Sequence, residues 1–408
     1  MSVKSSIKVY IIFLIAALLC AIGYAMYMHT EISPFKLWET DKQVAKPDRF
    51  VFYHDFEGDA NSERLQIINE PAKRAISVER EIDTFVDQFP FTDSLRMKEN
   101  WYFFGDFTQD GVDELFAFTQ SEDSLFLTII DINPSRYIQH RKFMLTASPQ
   151  NPYYLWDLEV VAGGLLDTDH DGVPEFIFSA ISGYSQYPRG VYIYDIEERA
   201  ITNRFESAAP VTQLWLEDLN GDDTIEIIGT SGAPGNIDKS VRYTDSKSWL
   251  FMFDQNLSFV YPPRSFGEYP GGVISHPIKI TNKWFLLLLY SYNGSKDLPS
   301  HLYLVNSAGR VETERTITKK TLGLYTVFYQ ENSPLIYLYS DVSDEFFVVN
   351  EKLEILQNKS QPVFGTNTDI VVQPPLIHMN TDGIPEIIVR TPTGLDIIDH
   401  NLSLLATH

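Results

Sequence analysis

The chain has 408 residues and is acidic, with 32 Lys and Arg against 55 Asp and Glu and a formal net charge of −23. This balance argues against a nucleic-acid partner, because phosphate binding needs clustered basic residues, and it favours divalent cations. The single cysteine, Cys20, lies in an apolar run, which excludes an intramolecular disulfide and a cysteine-based zinc site in the soluble part.

The N-terminus predicts a membrane anchor. Lys4 and Lys8 precede an uncharged stretch from Val9 to Met28. As a helix, these 20 residues match the ~30 Å apolar core of a bilayer. A cleaved signal peptide is the alternative, but no convincing small-x-small cleavage site follows, and Leu19 before Cys20 argues against lipoprotein processing.

The positive flank before the apolar stretch predicts the orientation of the chain, because Lys and Arg are retained on the cytoplasmic side. The predicted segments are a cytoplasmic tail (1–8), a transmembrane anchor (9–28), a linker (29–49) and a folded domain (50–408). We therefore expect a single-pass membrane protein whose N-terminus is cytoplasmic and whose folded domain is periplasmic or on the cell surface.

A repeat of about 54 residues follows the linker. Five segments share an acidic loop and a following apolar strand: HDFEGDANSERLQII, GDFTQDGVDELFAF, LDTDHDGVPEFIF, EDLNGDDTIEIIG and IHMNTDGIPEIIV. Their first loop positions are Asp55, Asp106, Asp167, Asp218 and His378, at steps of 51, 61, 51 and 160 residues. The last step is close to three repeats, so two units lack the acidic loop.

A second recurring feature identifies those two units. It is an apolar strand that ends in Asp or Asn before a turn, at Asp131, Asp195, Asp254, Asn306, Asn350 and Asp399. Asn306 and Asn350 mark the units without an acidic loop, which makes seven units. Each unit divides into four short strands, in the third VVAGGLL, EFIFSA, GVYIYDI and ITNRFES. The pattern predicts an all-β fold, a seven-bladed β-propeller with an N-terminal transmembrane helix.

The acidic loop of the third unit has the spacing of a calcium site. Positions 1, 3, 5, 6, 7 and 9 are Asp167, Asp169, Asp171, Gly172, Val173 and Glu175. Calcium takes six to eight oxygen ligands from carboxylates and carbonyls, and position 7 supplies a backbone carbonyl. Glycine at position 6 permits the positive φ that closes the loop. An EF-hand would instead need Glu at position 12 and flanking helices.

The same positions give the other candidate calcium ligands. In the second loop they are Asp106, Thr108, Asp110, Val112 and Glu114; in the fourth Asp218, Asn220, Asp222, Thr224 and Glu226; in the first Asp55, Glu57, Asp59, Asn61 and Glu63. The seventh loop has His378, Asn380, Asp382 and Glu386, and imidazole suits calcium poorly. The alternative is that Asp, Asn and Gly only form turns. Turns do not require clustered acids in phase, and such clusters repel without a cation.

GDFTQDGVDELF and LLDTDHDGVPEF, with their apolar lead-in, resemble the FG-GAP repeats of integrin α-subunit propellers and the VCBS-type repeats of bacterial surface proteins. The resemblance covers about five of the seven units. It implies that each loop joins the first two strands of a blade and binds calcium, and it implies a role in adhesion, ligand binding or sensing. Ala60, Asp223 and His378 depart from the family pattern in the first, fourth and seventh loops.

Three polar insertions, 181–190, 230–248 and 291–300, fall between the second and third strands of consecutive units. Such loops should be neighbours on the face opposite the calcium loops, although long loops can also be merely solvated. The candidate ligand-binding residues are Tyr184, Tyr187, Arg189, Lys239, Arg242, Tyr243 and Tyr292. Aromatic rings beside cations suit a glycan or protein ligand.

The sequence predicts binding rather than catalysis. Its nine histidines are scattered, and neither HExxH nor GxSxG is present. Acid pairs abound, so the alternative is a surface carbohydrate-active enzyme, a lyase or glycosidase, on the same scaffold. The expected cofactor is Ca²⁺. The expected partners are the membrane, an extracellular glycan or protein ligand and a C-terminal or partner signalling domain, without nucleic acid.

Overall fold

The computed structural model describes residues 49–59, 62–79, 85–133, 135–146, 158–183, 187–237, 242–267, 269–292, 298–317, 322–330, 332–340, 343–360, 376–377, 386–391 and 394–407. The predicted tail and transmembrane anchor lie outside these ranges, as does the predicted linker except for Arg49. Within the described ranges, no helix is long and apolar enough to span a membrane.

The described strands fall into consecutive groups. The first is β1 (Arg49–His54), β2 (Glu63–Glu70), β3 (Lys73–Glu79) and β4 (Phe85–Pro90). The second is β5 (Ser94–Leu95), β6 (Tyr102–Gly105), β7 (Glu114–Ser121), β8 (Ser124–Asp131) and β9 (Arg136–Thr146), with a 3₁₀ turn at Glu99–Trp101 between β5 and β6. The third is β10 (Leu158–Leu166), β11 (Glu175–Ser182), β12 (Arg189–Asp195) and β13 (Ala200–Glu206).

The later groups repeat this plan. The fourth is β14 (Val211–Glu217), β15 (Glu226–Ala233), β16 (Ser248–Phe253) and β17 (Arg264–Phe266). The fifth is β18 (Gly271–Ile280), β19 (Lys283–Tyr292), β20 (Ser300–Val305) and β21 (Val311–Ile317). The sixth is β22 (Leu322–Gln330), β23 (Ser333–Ser340), β24 (Glu345–Val349) and β25 (Ile355–Ser360). The last is β26 (Leu376–Ile377), β27 (Glu386–Thr391), β28 (Gly394–Ile398) and β29 (Leu404–Thr407).

Every group is an antiparallel meander. Five of them are separate sheets, and in the second group β5 and β6 both pair with β7, so its first strand is broken. The fourth and fifth groups share one eight-stranded sheet, because Gly232 pairs with Gly272 and Ala233 with Gly271. The first strands of successive groups also contact one another, β6 with β10, β10 with β14 and β14 with β18. Meanders arranged around their first strands define an all-β propeller.

The burial of the strands explains their composition. In the second and third groups, the second and third strands are buried on both faces, because they lie between neighbouring meanders; these strands are β7, β8, β11 and β12. Aromatic rings fill these interfaces, and Phe116 of β7 stacks on Phe176 of β11 with their centroids 4.9 Å apart. The fourth strand is outermost, and β13 alternates between exposed and half-buried residues. Apolar burial between meanders is therefore the main stabilising contribution.

The turn after the third strand of each of the last four groups is fixed by the Asp or Asn singled out in the sequence. Asp254 Oδ1 accepts hydrogen bonds from the backbone N–H groups of Asn256 and Ser258, both at 2.8 Å. The same pair of bonds recurs at Asn306, Asn350 and Asp399.

In the fifth group, β18 and β19 are joined by Thr281 and Asn282 alone, both with positive φ, as in a type I′ hairpin. The fifth group therefore has no acidic loop.

Candidate metal sites

The acidic loops join the first and second strands of their groups, and the glutamate at position 9 is the first residue of the second strand. This holds for Glu63, Glu114, Glu175 and Glu226, and Glu386 likewise begins β27. All five glutamates are buried. A carboxylate at the buried start of a central strand needs polar partners, and the loop supplies them.

The first partner is a backbone amide of the loop. In the four described loops, the glutamate accepts a hydrogen bond from the N–H of position 2: Phe56 to Glu63 at 3.1 Å, Phe107 to Glu114 at 2.6 Å, Thr168 to Glu175 at 2.7 Å and Leu219 to Glu226 at 2.9 Å. Side chains add to this in three loops. The Thr108 hydroxyl donates to Glu114 at 2.8 Å, the Thr168 hydroxyl donates to Glu175 at 2.6 Å, and the Asn220 amide donates to Glu226 at 2.6 Å.

The aspartate at position 1 closes the loop from its other end. Asp106 accepts the N–H groups of Asp110 and Gly111 at 3.1 and 3.0 Å. Asp167 and Asp218 make the equivalent pairs of bonds in the third and fourth loops. In the first loop Asp55 accepts the N–H of Asp59 at 3.1 Å. The carboxylates are thus drawn to the inside of a curled loop.

The carboxylate at position 5 fixes position 7. Its Oδ1 accepts the N–H of Val112, Val173 and Thr224 at 2.9, 2.8 and 2.9 Å in the second, third and fourth loops.

Two predicted ligands of the first loop, Glu57 and Asp59, are exposed. Asn61 and the substituted position Ala60 lie outside the described residues, as do His378, Asn380 and Asp382 of the seventh loop.

Two backbone positions with positive φ give the loops their curl. Position 6 was predicted, and φ there is 87° at Gly111, 94° at Gly172 and 65° at Asp223. Position 4 was missed, although φ is positive in all four described loops, at Gly58, Gln109, His170 and Gly221. In the first and fourth loops, the glycine at position 4 could have indicated this positive φ. Asp223 adopts the conformation because Asp tolerates it better than most side chains.

Three of the loops bring carboxylate oxygens within 4.8 Å of one another, among the residues that the structure describes. The clusters are Asp106, Asp110 and Glu114; Asp167, Asp169 and Glu175; and Asp218, Asp222 and Glu226. Each donor set consists of oxygens alone, with the glutamate buried and the aspartates accessible. These residues fit a hard divalent cation and do not fit the nitrogen and sulfur preference of zinc. Asp171, a predicted ligand, is not in the third cluster.

The protonation of the glutamates reflects this crowding. Burial raises the pKa of Glu114, Glu175 and Glu226, although hydrogen bonds from their loops act in the opposite direction. Neighbouring carboxylates raise these pKa values further; Asp169 does so at Glu175, and Asp222 at Glu226. The ionised glutamates are therefore disfavoured by their surroundings, and a divalent cation would offset that cost.

The first and second loops are in direct contact. His54 Nε2 lies 2.8 Å from Asp113 Oδ2, and the Asp113 N–H donates to the carbonyl of Phe56 at 2.9 Å. The imidazole of His54 also stacks on Phe104, with the ring centroids 3.8 Å apart. The acidic loops of adjacent groups are thus packed together along one end of the propeller.

The predicted ligand patch is only partly accessible. The three insertions connect β11 to β12, β15 to β16 and β19 to β20, opposite the acidic loops. Arg189 was wrongly placed on an exposed patch, because its side chain is 1% exposed and its Nη1 lies 3.4 Å from Asp245 Oδ2. Burial excludes a direct role in contacting a surface ligand. Arg189 also donates to the carbonyls of Ser182 and Ala208 and to Asn236 Oδ1, and these bonds hold the first insertion to its surroundings.

The remaining patch residues differ in exposure. Tyr292 is buried, and Tyr243 packs edge-on against Trp249 with their centroids 5.4 Å apart. Arg242 is exposed, with its guanidinium 4.9 Å from the centroid of the Tyr243 ring. Tyr187 is half-buried. Tyr184 and Lys239 lie outside the described residues.

No protein-family model matches the chain, and no curated protein matches it. Solved structures do match. Sqt1 of Saccharomyces cerevisiae is 9% identical, with 84% of this chain and 81% of that chain covered and a TM-score of 0.49. BBS1N, solved in complex with ARL6DN, is 11% identical over 89% and 91% of the two chains, with a TM-score of 0.43. Hydrazine synthase of Kuenenia stuttgartiensis is 6% identical over 90% and 100%, with a TM-score of 0.46. Similarities at this level assign neither a family nor a function.

Proposed function

We propose that the chain is a calcium-stabilised, seven-bladed propeller outside the cytoplasm, which acts as a ligand-binding, sensing or adhesion module. The observation that carries the proposal is the repeated clustering of carboxylates at positions 1, 3 or 5, and 9 in three successive acidic loops. Chance grouping of surface acids would not repeat a cluster around positions 1 and 9 of the loop in three consecutive groups. The resemblance of these loops to FG-GAP and VCBS-type repeats supports calcium as the ion.

The chemistry of the clusters favours calcium over other cations. Calcium accepts six to eight oxygen ligands in flexible geometry, whereas magnesium demands a near-ideal octahedron and keeps several waters. Accessible aspartates around a buried glutamate leave room for carbonyl or water ligands beside the carboxylates. The ion would join the loop to the start of the second strand, where Glu114, Glu175 and Glu226 stand. Calcium would therefore stabilise the connection between the first two strands in the three blades that carry a carboxylate cluster.

The sheet organisation supports the proposal of seven blades. Five separate meanders, and the two meanders that share the eight-stranded sheet, make seven units of the predicted repeat. In a closed propeller the last meander, β26–β29, packs beside the first, β1–β4. Radial closure protects the edges of the sheets, which gives seven meanders a physical reason to close.

A location outside the membrane suits a calcium-dependent fold. The apolar stretch Val9–Met28 and the preceding Lys4 and Lys8 support an uncleaved anchor with a cytoplasmic N-terminus. Extracellular calcium modules work with dissociation constants of about 10⁻⁴–10⁻³ M. A rigid propeller would then present its insertion loops to a glycan or a protein outside the cell.

Thermal unfolding of the full chain tests the proposal. The melting temperature is measured in excess calcium, in excess magnesium and in EDTA. Binding to the native state alone adds about 2.7 kcal/mol of stability at 100 times Kd. We expect a clear increase in calcium and a smaller one in magnesium. Equal midpoints in all three conditions would rule out a calcium-stabilised fold.

A further inference from the structure

A cavity of about 350 Å³ lies between the second and third meanders, at the end of the propeller that carries the insertion loops. Its lining comes from the end of β9, from Tyr187 and Pro188 of the first insertion, and from β12 and β13. Small-molecule sites range over about 300–1,000 Å³. The cavity therefore has room for a ligand of one or two small rings.

The hydroxyl of Tyr192 is the unusual feature of this cavity. Tyr192 is 1% exposed and lines the cavity, and its buried hydroxyl has no hydrogen-bond partner among the described residues. Tyr194 lies two residues further on the same face of β12. Its hydroxyl donates to Gln139 Oε1 of β9 at 2.5 Å. This hydrogen bond bridges β12 and β9 at Tyr194. At Tyr192, by contrast, the hydroxyl has no partner among the described residues, and the cavity lies open beside it.

The other side chains of the cavity give it a mixed character. Phe143 of β9 is an apolar platform that is 50% exposed. Arg204 lies directly opposite Tyr192 in the β12–β13 register. Its Nη1 is 3.9 Å from a Glu206 oxygen, and these two side chains are 69% and 52% exposed. The cationic donor Arg204 and the anionic acceptor Glu206 therefore lie together beside the aromatic ring of Phe143.

We propose that this cavity binds one or two rings of a neutral carbohydrate, with Phe143 stacking on a sugar face and Tyr192, Arg204 and Glu206 hydrogen-bonding its hydroxyls. Adjacent sugar hydroxyls each donate and accept, which matches a paired guanidinium and carboxylate. A charged ligand would meet a like charge at one member of the pair. An anion would also meet the net charge of −23 on the chain. The inference rests on the proposed binding function and specifies its ligand class.

The test uses the full chain in calcium-containing buffer and in a detergent without a sugar headgroup. An array of neutral and acidic oligosaccharides is screened, and a binding oligosaccharide is then titrated calorimetrically. We expect a neutral oligosaccharide to bind. Tyr192→Phe keeps the ring and removes only the unpartnered hydroxyl, so it should leave the melting temperature unchanged and weaken binding about 3- to 10-fold. Phe143→Ala, at a half-exposed position, should weaken binding about tenfold or more.

The matched control is Tyr261→Phe. Tyr261 also has a buried hydroxyl without a partner among the described residues, but it lies outside the cavity, so its loss should not change affinity. Binding of acidic oligosaccharides alone, binding of none, or unchanged affinity in both Tyr192→Phe and Phe143→Ala would overturn the inference. Calcium-dependent melting of the same sample separates the outcomes, because it tests the calcium proposal without depending on any oligosaccharide.

Discussion

The side-chain amide of Gln109 donates a hydrogen bond to the backbone carbonyl of Gly172 at 2.9 Å, so the acidic loop of the second meander contacts that of the third. Gln109 stands at position 4 of its loop and Gly172 at position 6 of the next. Both positions have positive φ and set the curl of their loops. Ordering of one loop by a cation should therefore favour the ordered form of its neighbour.

Coupling between the two loops is the first prediction. Gln109→Asn shortens the side chain beyond reach of Gly172 while keeping a residue that tolerates positive φ. The bond is exposed, so the coupling should be modest, a factor of about 2–10 in affinity. Calcium titration of the wild-type chain should show positive cooperativity that is reduced in Gln109→Asn. Identical titration curves would mean that the loops bind independently.

The third loop distinguishes two of its aspartates. Asp169 belongs to the carboxylate cluster, whereas Asp171 Oδ1 accepts the Val173 N–H at 2.8 Å and Asp171 is not in the cluster. Asp169→Asn should therefore lower calcium affinity by about tenfold or more, because it removes a charged ligand. Asp171→Asn keeps the accepting oxygen and should lower affinity less. Calorimetric titration of both variants with calcium measures the two losses of affinity. A larger loss in Asp171→Asn than in Asp169→Asn would show that the ion lies closer to Asp171.

The buried glutamates predict a pH dependence. Burial raises the pKa of Glu114, Glu175 and Glu226 above the ordinary value of 4.5. Without calcium, their contribution to stability is present below the ordinary pKa and is lost as pH rises through the raised pKa. Calcium needs the ionised carboxylates and restores that stability. The calcium-induced rise in melting temperature should therefore be small near about pH 4.5 and larger near about pH 7.5. A rise of equal size at both pH values would contradict this.

The ion pair of Arg189 and Asp245 should be a major stabilising contact of the insertion face. Both side chains are buried, and Asp245 Oδ2 also accepts the N–H groups of Asn236 and Ile237 at 2.8 and 3.0 Å. Arg189→Met leaves a buried carboxylate without its cation and should cost about 3–5 kcal/mol.

Denaturant unfolding measures this cost, and Arg204→Met is the control. The Arg204–Glu206 pair is mostly exposed, so its loss should cost less than about 1 kcal/mol. Adding Asp245→Leu to Arg189→Met should recover part of the loss, because no buried charge then remains unpaired. Equal costs for Arg189→Met and Arg204→Met would show that the buried pair is not a stabilising contact.

The local features of the fold could be predicted from the sequence because they depend on neighbouring residues. Asp254 and its equivalents hydrogen-bond amides two and four residues ahead, so each leaves a signature beside its strand. The glutamate at position 9 is equally local, since Glu175 bonds to Thr168 seven residues earlier. Such short-range bonds repeat with the sequence and make the strand pattern readable.

The features that could not be predicted depend on partners that are distant in the sequence. Arg189 was predicted to be a surface cation because its partner Asp245 is 56 residues away in the sequence, and no neighbouring residue indicates the pairing. The positive φ of His170 at position 4 was hidden because that loop has no glycine there. The cavity beside Tyr192 forms between two meanders and has no sequence motif. Tertiary packing determines such features, and no local sequence pattern indicates them.

The most direct test is the number of calcium ions bound per chain, measured by equilibrium dialysis with radiolabelled calcium. The wild-type chain should bind at least three ions, one for each carboxylate cluster. A variant that combines Glu114→Gln, Glu175→Gln and Glu226→Gln removes the buried carboxylate from all three and should lose these ions. A wild-type chain that binds no calcium at about 10⁻³ M, the upper end of extracellular affinities, or a triple variant that binds as many ions as the wild type, would contradict the account.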